Sequence, residues 1–263
     1  MGNRTMLAIA AAVVAAGLAL AWYFHTRNVP VAHAPIANPP AASAPAEPAI
    51  EHPVPQRPGL SNAPLPPLAD SDASLHEALA QALGADAVTQ FLVPESIVRH
   101  LVVTIDNLPR QKVPVSRRPT VAAPGTFLAN GDELNSTLDP RNYERYAPMM
   151  AVIRQLDVQR VADAYLHFYA LFQQVYQDLG YPNGYFNDRL VEVIDSLLAT
   201  PEVSGPIRLT RPNVMYVYAD PALESRPAGQ KLLLRMGPDN ARVIKAKLTE
   251  LRAILTAAPP AKH

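Results

Sequence analysis

The sequence has no cysteine and no surplus of either charge: Cys 0, with Lys+Arg 23 against Asp+Glu 23. The first absence removes disulfides, thiolate metal sites, thiol nucleophiles, c-type haem attachment and the lipid-bearing cysteine of a bacterial lipoprotein. The second removes the clustered positive field with which nucleic-acid binders displace counterions, so no nucleic-acid partner is expected. No glycine-rich phosphate loop, dinucleotide fingerprint or nucleophile elbow is present. His25, His33, His52, His76, His100, His167 and His263 include no pair at metal-ligand spacing. No metal and no cofactor is therefore expected.

Charge is also missing locally. Residues 6–24 carry none and hardly a polar group, a length that as helix spans the roughly 30 Å of a bilayer's hydrocarbon core. The pattern predicts a single transmembrane helix, with Trp22 and Tyr23 at the headgroup level. A cleaved leader, with Ala19-Leu20-Ala21 as the small-residue site, is the competing reading; the run continues past that site and is long for a leader. Arg4 and the α-amine precede the run and Arg27 alone follows it, an excess that places residues 1–5 in the cytoplasm and the remainder on the far side of an inner membrane.

Proline is the one residue in clear excess: 28, about twice an ordinary frequency of roughly 5%. Much of the excess falls in residues 25–68, a Pro/Ala-rich stretch that reads as a disordered spacer. Its P-x-x-P instances, read as docking ligands for a partner, lack an organised basic flank.

From residue 69 to 257 the composition is globular, with 258–263 a disordered tail. The fold class expected is mainly α: short helices through Leu75, Val88 and Ile97, an extended and locally basic arm over 110–138, then a helical remainder with a small β-hairpin. Asp72 is a candidate cap for the first helix, and Pro94 a candidate first residue of the third. Between Asp157 and Ala199 two helices joined by Gly180-Tyr181-Pro182-Asn183-Gly184 form the expected centre, an αα-hairpin. Phe172, Tyr176 and Leu179 lie on its inner stripe, and so do Phe186, Val193 and Ile194. Ile207–Thr210 and Val214–Tyr218 read as the hairpin's strands, the second lying against the helices.

Three groups of residues invite chemistry. Asp188, Glu192 and Asp195 share one helix face, where one raised and one ionised acid would suit glycosidase-like work, with Asp188 and Glu192 as the weak catalytic candidates. The plainer reading is a solvent-facing side relieved by Arg189. Tyr185, Asn187, Asp188 and Arg189 gather an aromatic, an amide and both charges at a helix entrance, suited to a ligand or partner or, more simply, to a cap that fixes the connector. Tyr143, Arg145 and Tyr146, beside Arg141, form a second aromatic and cationic cluster that is a partner-binding candidate or a surface stacking group.

Leu101 to Pro109, Asp139-Pro140-Arg141-Asn142-Tyr143, Gly184 to Leu190 and Leu233 to Pro238 resemble a family of bacterial membrane-anchored proteins catalogued only as a domain of unknown function. The resemblance covers about residues 65–255 and implies a bacterial envelope protein, without supplying an activity or a catalytic residue. The expectation is a membrane-anchored periplasmic binding or assembly module, reaching an envelope protein or cell-wall glycan on its spacer rather than acting as an enzyme. An envelope hydrolase is the alternative.

Overall fold

A computed structural model describes residues 49–57, 64–132, 135–212 and 214–257. The transmembrane helix read over 6–24 lies outside these residues, as do much of the spacer and the tail. Among the described residues no helix is long and apolar enough to cross a membrane. The fold class is corrected accordingly: mainly helical, with two small two-stranded sheets and no spanning helix among the described residues. The longest helix shows why. Val158–Asp178 has the length, but Arg160, Asp163, Gln173, Gln174, Gln177 and Asp178 interrupt its apolar stripe.

After a 3-10 turn at Leu68–Asp70 come α1 (Ser71–Leu83), α2 (Ala85–Phe91) and α3 (Ile97–Asn107). Asp72 does not cap α1. It lies inside that helix, and its carboxylate accepts the N–H groups of Ser96 and Ile97 at 2.7 and 2.8 Å. One acid thus fastens α1 to the start of α3, and α3 begins at Ile97, beyond the proline expected to open it. Ser96 adopts φ 52°, a left-handed conformation uncommon for a residue with a side chain.

The arm over 110–138 is less extended than its prolines suggested. It holds a 3-10 turn at Val115–Arg117 and the antiparallel strands β1 (Ala129–Asn130) and β2 (Thr137–Leu138). Next come α4 (Arg141–Glu144), α5 (Ala147–Gln155), α6 (Val158–Asp178) and α7 (Phe186–Leu198). The expected hairpin is present as strands β3 (Leu209–Thr210) and β4 (Val217–Tyr218), paired antiparallel. A bridge between Thr137 and Arg208 sets the two hairpins edge to edge. Val214 and Met215, expected against the helices, are 78% and 74% exposed. The chain closes with α8 (Pro221–Glu224), α9 (Ala228–Met236) and α10 (Pro238–Leu255).

The centre is where the sequence put it, but its packing differs from a simple αα-hairpin. α6 rests mainly on α1, α3 and α10, and α7 mainly on α10. They meet chiefly at the entrance of α7, where the fully buried ring of Phe186 stacks on Phe172 at 5.8 Å and tilts against Tyr176 at 5.5 Å. Burial of an aromatic of this size contributes about 1.5–3 kcal/mol. Around it Leu75, Ile97, Val102, Phe168 and Val175 complete the main core. Leu179, placed on the inner stripe by periodicity, is 36% exposed because the helix has already ended there.

Gly237 separates α9 from α10 at φ 91°, and a β-carbon there would meet the ring of Tyr143 at 2.6 Å. Only glycine combines that backbone turn with so close an approach. Tyr143 is thereby committed to the packing between α4 and the α9–α10 corner.

Candidate functional site

The residues singled out as candidates fall in two separate places. Tyr143, Arg145 and Tyr146 belong to the first. Tyr143 packs beside Leu138 and Leu234, and Tyr146 beside Met150 and Leu233. Arg145 spends its guanidinium on backbone carbonyls of the arm, Pro124 at 2.8 Å and Gly125 at 3.1 Å. Arg141 pairs with the buried Asp139, whose hydrogen bond to Arg141 holds its carboxyl below the usual range. This cluster ties the arm to the body, with Tyr143 on the wall of a pocket of about 160 Å³ beside Leu234 and Gly237.

The second place is the entrance of α7. Gln173 builds it from below: its amide nitrogen donates to the carbonyl of Gly184 at 2.7 Å, and its oxygen accepts from Phe186 N–H and from the Tyr169 hydroxyl, both at 2.8 Å. Burial first, then the neighbouring Tyr185, pushes the Tyr169 hydroxyl far above its ordinary range, so it stays a donor. The ring of Tyr185 lies 5.7 Å from that of Tyr169, which lies 5.8 Å from Tyr165. A wall of three tyrosines results.

What occupies this wall is part of the proline-rich stretch itself. Residues 49–57, assigned to the spacer, lie against the body. The Asp188 carboxylate accepts the N–H of Glu51 at 3.1 Å and of His52 at 2.6 Å, and the Tyr185 hydroxyl accepts that of Val54 at 3.0 Å. Asn187, fully buried, donates to the carbonyl of His52 at 2.9 Å. Farther along, Arg57 pairs with Asp163 at 2.6 Å and donates to Gln159 at 2.6 Å. Pro53 and Pro55 have no N–H to offer, so the clamp takes every backbone donor between residues 51 and 55. The prolines also keep His52 and Val54 out of helical geometry. The spacer reading is corrected for this segment: it is a strap on the head.

The carboxylate row is dispersed among these tasks. Asp188 grips the strap, Glu192 accepts from Arg189 at 2.7 Å, and Asp195 pairs with Arg252. The hydrogen bond from Arg252 holds the Asp195 carboxyl below its usual range, against opposing burial. That pair adds stability above the ordinary carboxylate range, and loses it as pH falls through the lowered value. Exposed as it is, it contributes no more than about 1 kcal/mol. Arg189 turns away from the strap. Its Nε reaches Asp106 Oδ1 at 3.1 Å, and a terminal nitrogen reaches the Asp106 carbonyl at 2.7 Å. Burial works against its charge, and Glu192 and Asp106 outweigh it.

Asp106 is the residue that sequence reading missed. Buried at the end of α3, it collects Arg189, Arg110 at 2.8 Å and the Tyr181 hydroxyl at 3.3 Å. The available signal was its place as the single acid in the apolar run Leu101 to Leu108. The strap was missed because a proline-rich composition does not specify whether a partner is near.

A family described as a protein of unknown function, DUF3014, matches residues 97–252. The chain belongs to this family. No curated protein and no solved structure matches it. The DUF3014 match contains Asp106, the Gln173 support and the whole clamp from Tyr185 to Arg189, whereas the strap lies before it. Among the described residues no cluster of acids and histidines is arranged to hold a metal.

Proposed function

We propose that the protein is a binding module for proline-rich extended segments, and that the clamp of Tyr185, Asn187 and Asp188 is its recognition site. The observation that carries this reading is the fit between the clamp and the proline pattern. Three N–H groups lie between residues 51 and 55, and two side chains accept all three. Recognition of this kind reads the backbone N–H groups left between prolines of an extended segment, beside an aromatic wall such as proline-binding grooves also present. The strap then acts as a ligand in cis. Held by the same chain, it competes at an effective concentration on the order of millimolar.

The hydrolase reading loses support from the same geometry. Asp188 faces backbone N–H groups of the chain itself, and Glu192 faces Arg189.

The test uses the full chain with the strap released by His52→Pro and Val54→Pro, which delete two of the three donors. A fluorescent peptide of residues 49–57 is expected to bind this variant saturably, and at least tenfold more weakly to wild type, where the native strap competes. Adding Asp188→Ala to the released variant should abolish binding. Binding unaffected by Asp188→Ala, or none to the released chain, would leave the clamp a mere tether.

The location we propose is outside the cytoplasm, in the bacterial periplasm, supported by the uncharged run 6–24 and by Arg4 and the α-amine before it against Arg27 alone after it. Alkaline phosphatase fused after Leu68 is expected to be active; an inactive fusion beside an active cytoplasmic reporter reverses the assignment.

A further inference from the structure

Away from the clamp, a cavity of about 310 Å³ lies among α5, α6, α7, α9 and α10. Met149, Ile153, Val161, Leu197, Leu232 and Ile244 are among its walls, and none of its lining residues is aromatic. Leu232 is 43% exposed, so the space reaches the surface along α9. Its walls are almost wholly apolar, and unfilled they forgo the dispersion contacts of a packed interior.

The walls are also prevented from collapsing. Gly229 sits where a β-carbon would come within 2.6 Å of Leu197, and its N–H donates to the Leu108 carbonyl at 2.9 Å. Gln230 holds the Ser196 carbonyl at 2.6 Å, and Lys245 donates to that of Thr200. Polar bonds thus fix α9 and α10 at their distance from α7 while the space between stays open. A single charged side chain lines it, that of Lys247. Its ammonium donates to the Leu156 carbonyl at 2.9 Å and forms an ion pair with Glu250 at 3.9 Å, beyond hydrogen-bond range. Of its three donors at least one is left for an anion.

We infer that this cavity binds the tail of a free single-chain fatty carboxylate, with Lys247 receiving the head group. An unbranched aliphatic chain matches walls of leucine, isoleucine, valine and methionine, the last able to adjust to chain length. The one cation among them selects a carboxylate over a neutral head. None of the clamp residues Tyr185, Asn187 and Asp188 lines it.

Dodecanoate below its micellar concentration, titrated calorimetrically into the full-length protein, is expected to bind saturably at one per chain. Val161→Trp and Ile244→Trp, which fill the space from two different helices, should each weaken it at least tenfold. Lys247→Met should weaken dodecanoate severalfold and leave dodecanol unchanged. A diazirine analogue of dodecanoate keeps the test open if a filled variant fails to fold: labelling should fall on the lining segments of α5, α6, α7, α9 or α10. Absence of binding to wild type, unchanged binding to folded filled variants, or labelling confined to other segments overturns the site. Capture of vesicles without uptake of free dodecanoate overturns it as well.

Discussion

Asp106→Ala is expected to cost about 3 kcal/mol, at the lower end of what removal of one partner from a buried ion pair costs. For a body of this size that is a fall in melting temperature of roughly 6–12 °C. The cause is the guanidinium left behind more than the bonds lost. Arg189 has a side chain only 15% exposed, and two of its three contacts end on Asp106. Without that carboxylate it keeps the main-chain carbonyl of residue 106 and Glu192, itself 63% exposed, and no buried counter-charge. Arg110 and the Tyr181 hydroxyl lose the same acceptor. Since Tyr181 stacks on Tyr176 at 4.5 Å, the connector before α7 loosens with them. Thermal melts of Asp106→Ala, Arg189→Met and the double variant make the check. The double should cost less than the sum, because it buries no uncompensated charge. Glu192→Ala, by contrast, should shift stability by no more than about 0.5 kcal/mol. A melting temperature for Asp106→Ala within 2 °C of wild type would remove Asp106 from the centre of this network.

The contrast between Asp106 and Glu192 shows what a sequence can and cannot carry. Spacings of four and three placed Asp188, Glu192 and Asp195 along one helix face, and helical geometry guarantees that much. Glu192 then found Arg189 on its own helix, three residues back, whereas Asp188 and Asp195 found the strap and Arg252. Those two partners come from segments more than fifty residues away, and periodicity holds no record of them. Asp106 drew no notice because one acid in an apolar helix reads as its wet edge; only the arrival of Arg189 and Tyr181 turns it into a buried acceptor. The helices themselves were legible wherever an apolar stripe ran for several turns, as through Phe168, Phe172 and Val175. Boundaries set by long-range caps were not, as at Ile97, whose N–H is taken by Asp72. The strap was the largest error. Pro53 and Pro55 looked like markers of a free chain, yet by deleting donors they leave a pattern that two side chains satisfy completely.

Asn187→Leu should separate the grip on the strap from the integrity of the body. The side chain is fully buried and joins three segments: it accepts from the Tyr165 hydroxyl at 3.0 Å and donates to the carbonyls of His52 at 2.9 Å and Leu255 at 3.4 Å. Leucine has a similar volume and none of these bonds. It strands a hydroxyl whose ionisation burial already pushes far up, together with two carbonyls. Each stranded group costs about 1–3 kcal/mol where water cannot reach it, and a total near 2–4 kcal/mol is expected because the His52 carbonyl can escape to solvent when the strap lifts. Asp188→Ala strands only strap N–H groups, which are free to do the same, so it should release the strap at little cost to the body. Hydrogen exchange read together with thermal melts distinguishes the two. Both variants should lose protection at Glu51, His52 and Val54, and only Asn187→Leu should also lower the melting temperature, by roughly 4–16 °C. An Asn187→Leu protein that melts like wild type would mean that the joint between α6, the end of α10 and the strap holds without it. An Asp188→Ala protein that keeps its strap protected would take the backbone grip away from the acid to which it is assigned.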